Sequence, residues 1–327
     1  NSIQTFFNWL SRGDVHTAWF HNLAFDGKFM LDYLLRCRYT YTENDPGRSQ
    51  FSTLISSKGK FYQIEVCFGN GVRVIFQDSL KVFPMTVRRI AQTFNLPEQK
   101  GDLDYRAYRE PGHKITDDEL YYISHDVQIV ARALAQNFEQ GLEKMTIGAN
   151  AMAFFKQQFG KREFKKYFPT LSLEADSDIR KSYRGGFTYV DPEYAGVDVY
   201  DGVSVDYNSM YPSVMKKYPY PYGVPQLFDG KYEYDPAYPL YVQRMVVEFT
   251  LKPDGVPMIQ LKNKGFYGNH EYVTETVEPV EITVTSVDWE IMQRMYDVDV
   301  RLYAGGYKFK ARKGLFDAYI DYWGHVK

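Results

Sequence analysis

The residues best suited to chemistry are acids that follow strand-like runs. Asp206 follows a run rich in β-branched residues, Val197 to Val205, and the chain then turns through Asn208-Ser209 into Tyr211-Pro212 and a short helical run. A carboxylate there suits a divalent cation, and the free N–H groups of the turn suit a phosphate. On spacing, the same segment reads equally well as a strand–turn–helix corner with a solvated acid. Asp26 repeats the arrangement. A strand-like run, Val15 to Phe20, leads through His21-Asn22 to Asp26, and a helix through Leu35 turns Met30, Leu31 and Leu34 inward. Asp26 then either caps that helix or binds a metal. A third acid, Asp126, lies four residues after Tyr122, so the two share a helical face. Lys100-Gly-Asp-Leu-Asp-Tyr105 is a polar cluster that composition alone makes a charged loop. Several carboxylates converging on two divalent ions can hydrolyse a phosphodiester, one ion activating water and the other stabilising the leaving oxygen.

The elements that must position these residues are legible in part. Ser2 can cap a helix striped with Ile3, Phe6, Phe7 and Leu10 and ended by Gly13. Three strand-like runs, Phe51 to Ser56, Lys60 to Phe68 and Val72 to Gln77, are joined at Lys58-Gly59 and Asn70-Gly71. A helix is expected around Thr86 to Phe94. The strongest helix begins at Thr116, where Thr116 and Glu119 form a capping box, and its expected core stripe is Leu120, Ile123, Val127, Val130 and Leu134. Gly141 to Asn150 reads as a boundary, followed by a helix over Ala151 to Phe159 and a basic segment, Lys161 to Lys166. Strands are expected before Asp206, over Leu240 to Leu251, over Val280 to Val284, and over Val298 to Phe309 with a break at Gly305-Gly306. Ser286 is expected to cap a helix from Val287 to Tyr296, and another runs from Leu315 onward.

Composition sets the bounds. At 327 residues the chain can hold two or three domains. Its 44% hydrophobic and 24% charged content is ordinary for a globular protein, and a net charge of −2 excludes a uniformly basic nucleic-acid coat. The 29 tyrosines are available for stacking on bases and sugars, with aromatic cores the plainer use. Cys37 and Cys67 lack metal-like spacing, which points to a reducing compartment without zinc. No signal peptide or membrane-spanning apolar run is visible. Asn1 is not an initiator residue, so the chain is expected to start inside a longer one.

Four motifs in order resemble those of family B DNA polymerases. Asp206-x-x-Ser209-Met210-Tyr211-Pro212 resembles the first polymerase motif, with Met210 in place of the usual Leu. Tyr183-Arg184-Gly185-Gly186 resembles the Tyr-x-Gly-Gly motif that joins the exonuclease and polymerase halves. Asn22-x-x-Phe25-Asp26 and Tyr122-x-x-x-Asp126 resemble the second and third motifs of proofreading exonucleases. The resemblance is to the protein-primed polymerases of small tailed bacteriophages, and covers about the middle of such a protein.

The resemblance implies an α/β and α+β architecture. A ribonuclease H-like 3′–5′ exonuclease domain over residues 1–145, its first strand missing together with an Asp-x-Glu pair, is followed by the start of a palm (146–252). An inserted α+β subdomain (253–313) contacts the terminal protein and the duplex, and 314–327 return to the palm. It further implies catalytic Asp26, Tyr122, Asp126 and Lys100 in the exonuclease and Asp206 in the polymerase. Two Mg²⁺ ions per active site, or Mn²⁺, would be held by Asp26, Asp126, Asp206 and the Tyr207 carbonyl, with Asp102 a further candidate. Tyr211 and Ser209 would contact the nucleotide. His21, Asn22, Phe25, Phe29, Ser79, Leu80, Tyr105, Tyr183, Arg184, Gly185 and Gly186 would contact DNA. The implied partners are primer-template and single-stranded DNA, deoxynucleoside triphosphates and a terminal protein, with no membrane. The implied state is a monomer in the bacterial host's cytoplasm. The second polymerase motif and the Asp-x-Asp motif are not found, which keeps open an alternative: a catalytically incomplete fragment that binds nucleic acid or terminal protein.

Overall fold

The computed structural model describes residues 2–110, 112–261, 267–268 and 271–326. The chain divides into two compact units, Asn1–Phe154 and Phe155–Lys327.

The first unit is built on a five-stranded sheet of β1 (Thr17–Phe20), β2 (Thr40–Tyr41), β3 (Gln50–Ile55), β4 (Phe61–Cys67) and β5 (Arg73–Asp78), in the order β1-β5-β4-β3-β2. β1 is parallel to β5, and β5, β4 and β3 form an antiparallel meander. Strand side chains alternate between faces, and β1 shows both cores. Ala18 and Phe20 pack with Phe7 and Leu10 of α1 (Ser2–Leu10) and Leu23, Met30 and Leu34 of α2 (Leu23–Arg36). Trp19 packs instead with Ile90 of α3 (Val87–Thr93) and Ile129, Ala133 and Leu134 of α4 (Asp117–Glu139).

The expected stripe on α4 holds only in its second half. Val130 and Leu134 are buried, whereas Leu120, Ile123 and Val127 are exposed and Tyr122, Ile129, Ala133 and Asn137 are buried instead. Only the second half of the helix lies on α3. The first half carries Tyr122 and Asp126, which bond to Tyr105 and Lys100, so polar contacts replace apolar ones.

The boundary between units falls within α5 (Ile147–Phe159), later than the 145/146 limit expected from sequence. In the second unit, α6 (Lys161–Tyr167), α7 (Leu173–Arg180) and α8 (Met210–Lys217) precede a four-stranded antiparallel sheet. Its strands are β6 (Tyr220–Phe228), β7 (Leu240–Leu251), β8 (Val280–Thr285) and β9 (Tyr296–Arg312), in the order β6-β9-β7-β8. Met292 of α9 (Ser286–Met295) packs with Met245, Val247, Ile282 and Tyr296; α10 (Asp317–Val326) follows. The limit expected at 252/253 falls between strands of this one sheet, since β7 pairs with both β8 and β9. Residues 262–266, 269 and 270 of the expected insertion lie outside the described residues.

Three further expectations are corrected. The run from Val197 to Val205 forms no strand; Val203 and Val205 are almost fully exposed, so β-branched composition without a partner strand did not produce pairing. The cap of α9 is Thr285, not Ser286, with Asp288 completing a capping box. Gly305-Gly306 does not break β9. A Cβ on Gly306 would stand 1.9 Å from the Val242 carbonyl oxygen, and Gly305 has φ +83°. The glycines let the strand pass an irregularity in its pairing with β7.

Candidate active site

The start of α4 is held by reciprocal bonds. The Glu119 N–H donates to Thr116 Oγ1 at 3.2 Å and the Thr116 N–H donates to Glu119 Oε2 at 3.0 Å. The Thr116 bond, with Arg109 and His113 beside the same carboxyl, pulls the Glu119 pKa down to about 2. One turn further on, Tyr122 is buried and its hydroxyl is hydrogen-bonded to that of Tyr105. Burial, with the Tyr105 and Asp126 contacts, pushes the phenol up to about 12 against the opposing Lys100 bond, so it stays neutral at ordinary pH. The Lys100 ammonium donates to Asp126 Oδ2 at 2.9 Å and lies 5.1 Å from the Tyr122 ring centroid. Burial opposes the Lys100 charge, but hydrogen bonds to Tyr122 and Asp126 outweigh it and raise its pKa. Four residues from two stretches of sequence therefore form one polar cluster.

Lys100 and Asp126 line a groove of about 1020 Å³ together with His21, Asn22 and Leu80. His21 Nε2 is 2.8 Å from the Met85 carbonyl oxygen, which can only accept, so Nε2 carries a proton. Its Nδ1 is 3.1 Å from Ser79 Oγ. Both ring nitrogens of His21 thus have protein partners. Asn22 precedes α2 in the left-handed region (φ 75°, ψ 58°) and makes no side-chain capping bond. Sequence reasoning missed Asp78, a fully buried acid. Its Oδ1 accepts from the Asn22 and Leu80 N–H groups, both at 3.0 Å, and its Oδ2 accepts from Lys81 Nζ at 2.9 Å. An acid at the end of a strand just before Ser79-Leu80 was the available signal.

The other expected residues of this unit are less gathered. Burial raises the Asp26 carboxyl above its usual range, partly offset by a backbone hydrogen bond. Phe25 and Phe29 are exposed and meet edge to face at 5.6 Å. Asp102 points to Arg88 at 2.7 Å on an exposed loop and does not line the groove. Among the described residues no group of three His, Cys, Asp or Glu side chains converges on a metal position. Asp126 nonetheless fits a divalent ion, because its Oδ1 is buried without a hydrogen-bond partner. An orphaned carboxylate oxygen is a free lone pair for a hard cation. An ion bound there would supply Lewis-acid activation.

In the second unit Asp206, Tyr207 and Tyr211 are exposed. Ser209 precedes α8 in the left-handed region (φ 51°) without a side-chain cap. Tyr183 is exposed, and a Cβ on Gly185 or Gly186 would meet nothing within 4 Å. Arg184 differs from a free phosphate-binding cation. Its Nη2 donates to the Thr283 carbonyl at 3.0 Å, and burial lowers its pKa despite nearby Asp288.

Comparison with known proteins decides what this arrangement belongs to. The profile of the family described as DNA polymerase type B, organellar and viral, matches residues 10–111 and 107–327. The chain belongs to this family. It is 42% identical over 332 residues to the DNA polymerase of Bacillus phage Nf, covering 100% of this chain and 58% of the relative. With the DNA polymerase of Streptococcus phage Cp-1 it shares 29% identity over 329 residues, covering 96% of this chain and 55% of the relative. A structure of Phi29 DNA polymerase with primer-template DNA and incoming nucleotides matches with a TM-score of 0.91 at 39% identity, covering 100% of this chain and 57% of that one. A structure of Phi29 DNA polymerase with single-stranded DNA matches with a TM-score of 0.90 at 38% identity, with the same coverage. The chain thus has the mixed α/β architecture of a type B polymerase and spans a little over half the length of these relatives.

Proposed function

We propose that the chain is part of a DNA-directed DNA polymerase with 3′–5′ proofreading, primed by a terminal protein and acting as a monomer in the cytoplasm of a bacterial host. The observation that carries the nuclease reading is Asp126: one carboxylate oxygen is held by Lys100 and the other is buried and free, at a groove that includes Asn22 and Leu80. Asp26 and Asp126 would hold the exonuclease metals, Tyr122 would orient the attacking water, and Lys100 would neutralise charge beside it. Asp206 and the Tyr207 carbonyl would hold the polymerase metals, Mg²⁺ or Mn²⁺, two per site. Ser209 and Tyr211 would meet the incoming nucleotide. Phosphoryl transfer rests on such positioning and charge neutralisation.

The Phi29 enzyme's complexes with primer-template and single-stranded DNA support the assignment of partners. The test is an end-labelled primer-template incubated with the full-length protein and Mg²⁺. Shortening of the primer without deoxynucleotides and lengthening with them is expected. A protein that binds the primer and does neither is a binding module, and the enzyme reading fails.

A further inference from the structure

We propose that Asp78 is a positioning residue for single-stranded DNA, the buried tie that fixes the Asn22 and Leu80 sides of the groove relative to one another. The role rests on the proposed nuclease reading for its substrate. Asp78 stands outside every motif read from the sequence, and it is fully buried at the end of β5. A buried acid with no partner would be costly, and this one has three. A single oxygen, Oδ1, accepts from two backbone N–H groups far apart in sequence, those of Asn22 and Leu80. The second oxygen is held by Lys81, which neutralises it.

The neighbouring residue tightens the same joint. Ser79 is also fully buried, its Oγ donates to the Phe20 carbonyl at 3.1 Å, and His21 Nδ1 lies at the same distance from it. Asn22 keeps a left-handed backbone (φ 75°), a region asparagine enters more readily than other residues with a Cβ. The bond from its N–H to Asp78 ties that backbone to the end of β5. His21, Asn22 and Leu80 all line the groove, and Asp78 itself does not. Loss of the tie therefore acts on ligand geometry without removing any group that faces ligand.

The test measures affinity of the full-length protein for a fluorescent oligothymidylate in EDTA, where no turnover is needed. Duplex primer-template binding is measured in parallel. Asp78→Ala is expected to weaken oligothymidylate binding by about tenfold or more and to leave duplex binding within about twofold. Leu34→Ala, a buried change in the same unit, is the control for lost stability. It should lower Tm and leave oligothymidylate affinity within about twofold. If Asp78→Ala yields no folded protein, Asp78→Asn decides. It keeps the shape, weakens both N–H bonds and loses the Lys81 pair, so a loss of about threefold or more is expected. Unchanged oligothymidylate affinity in the folded variant overturns the proposal, as does equal loss in Leu34→Ala or in duplex binding. A wild-type protein that binds the oligonucleotide without degrading it in Mg²⁺ removes the nuclease reading and leaves the Asp78 result standing.

Discussion

Asp126 has its two oxygens in different situations, and the proposed metal role uses that difference. Oδ2 is satisfied by an ammonium, while Oδ1 is buried and empty-handed. Glu98 shares this pattern, with one oxygen on Arg132 and the other buried without a partner, so the free Oδ1 of Asp126 points to a metal only through its place in the groove beside Lys100. Glu119, three residues along from Thr116 on the same helix, has both oxygens filled, since the Thr116 N–H, Arg109 and His113 all bind it. Its folded-state pKa, about 2, lies below its ordinary value, so its contribution is full above the unfolded pKa and lost as pH falls through the range down to about 2. Thermal melts of wild type and Glu119→Gln should therefore differ at neutral pH and converge toward pH 2; a constant gap would contradict this. The Tyr122–Asp126 pair was readable as a spacing of four. Its burial was not, because that depends on Lys100 and Tyr105, which reach it from a loop with no periodicity. Asp78 escaped because the partner that joins it to the groove, the Asn22 N–H, is distant in sequence, although Leu80 and Lys81 are local.

At the scale of elements, the sheets follow from local rules where each strand has its own turn signal. Asn70-Gly71 closes the hairpin between β4 and β5 as its composition requires. β6 shows the opposite case. Pro221, Gly223 and Pro225 argue against a strand, yet Tyr220–Phe228 pairs with β9 as the edge of its sheet, with irregular pairing between Tyr222 and Gln226. An edge strand tolerates proline because one row of its N–H groups needs no partner. The Val197 to Val205 run fails in the other direction, having strand composition and, among the described residues, no strand pairing. Gly306 gives the sharpest test of the second sheet. Gly306→Ala forces a methyl into the Val242 carbonyl and should cost about 3 kcal/mol, read as a lower urea midpoint. A midpoint equal to wild type would mean that β7 and β9 are not so closely paired.

At the scale of the whole molecule, the two sets of expected catalytic residues are divided between the two units. Asp26, Lys100, Tyr122 and Asp126 lie in the first, and Tyr183 to Gly186 and Asp206 to Tyr211 lie in the second. The order of the motifs was legible in the sequence because each carries its own local signature. The division at Phe154/Phe155 was legible only approximately, since a helix runs through it and no change of composition marks the position. Separate units predict separable activities. The most direct test compares Asp126→Ala and Asp206→Ala in the full-length protein on one labelled primer-template. Asp126→Ala is expected to extend the primer with 3′ degradation lowered at least about a hundredfold, whereas Asp206→Ala is expected to degrade the primer and not extend it. Retained extension in Asp206→Ala, or equal loss of both activities in either variant, would contradict this.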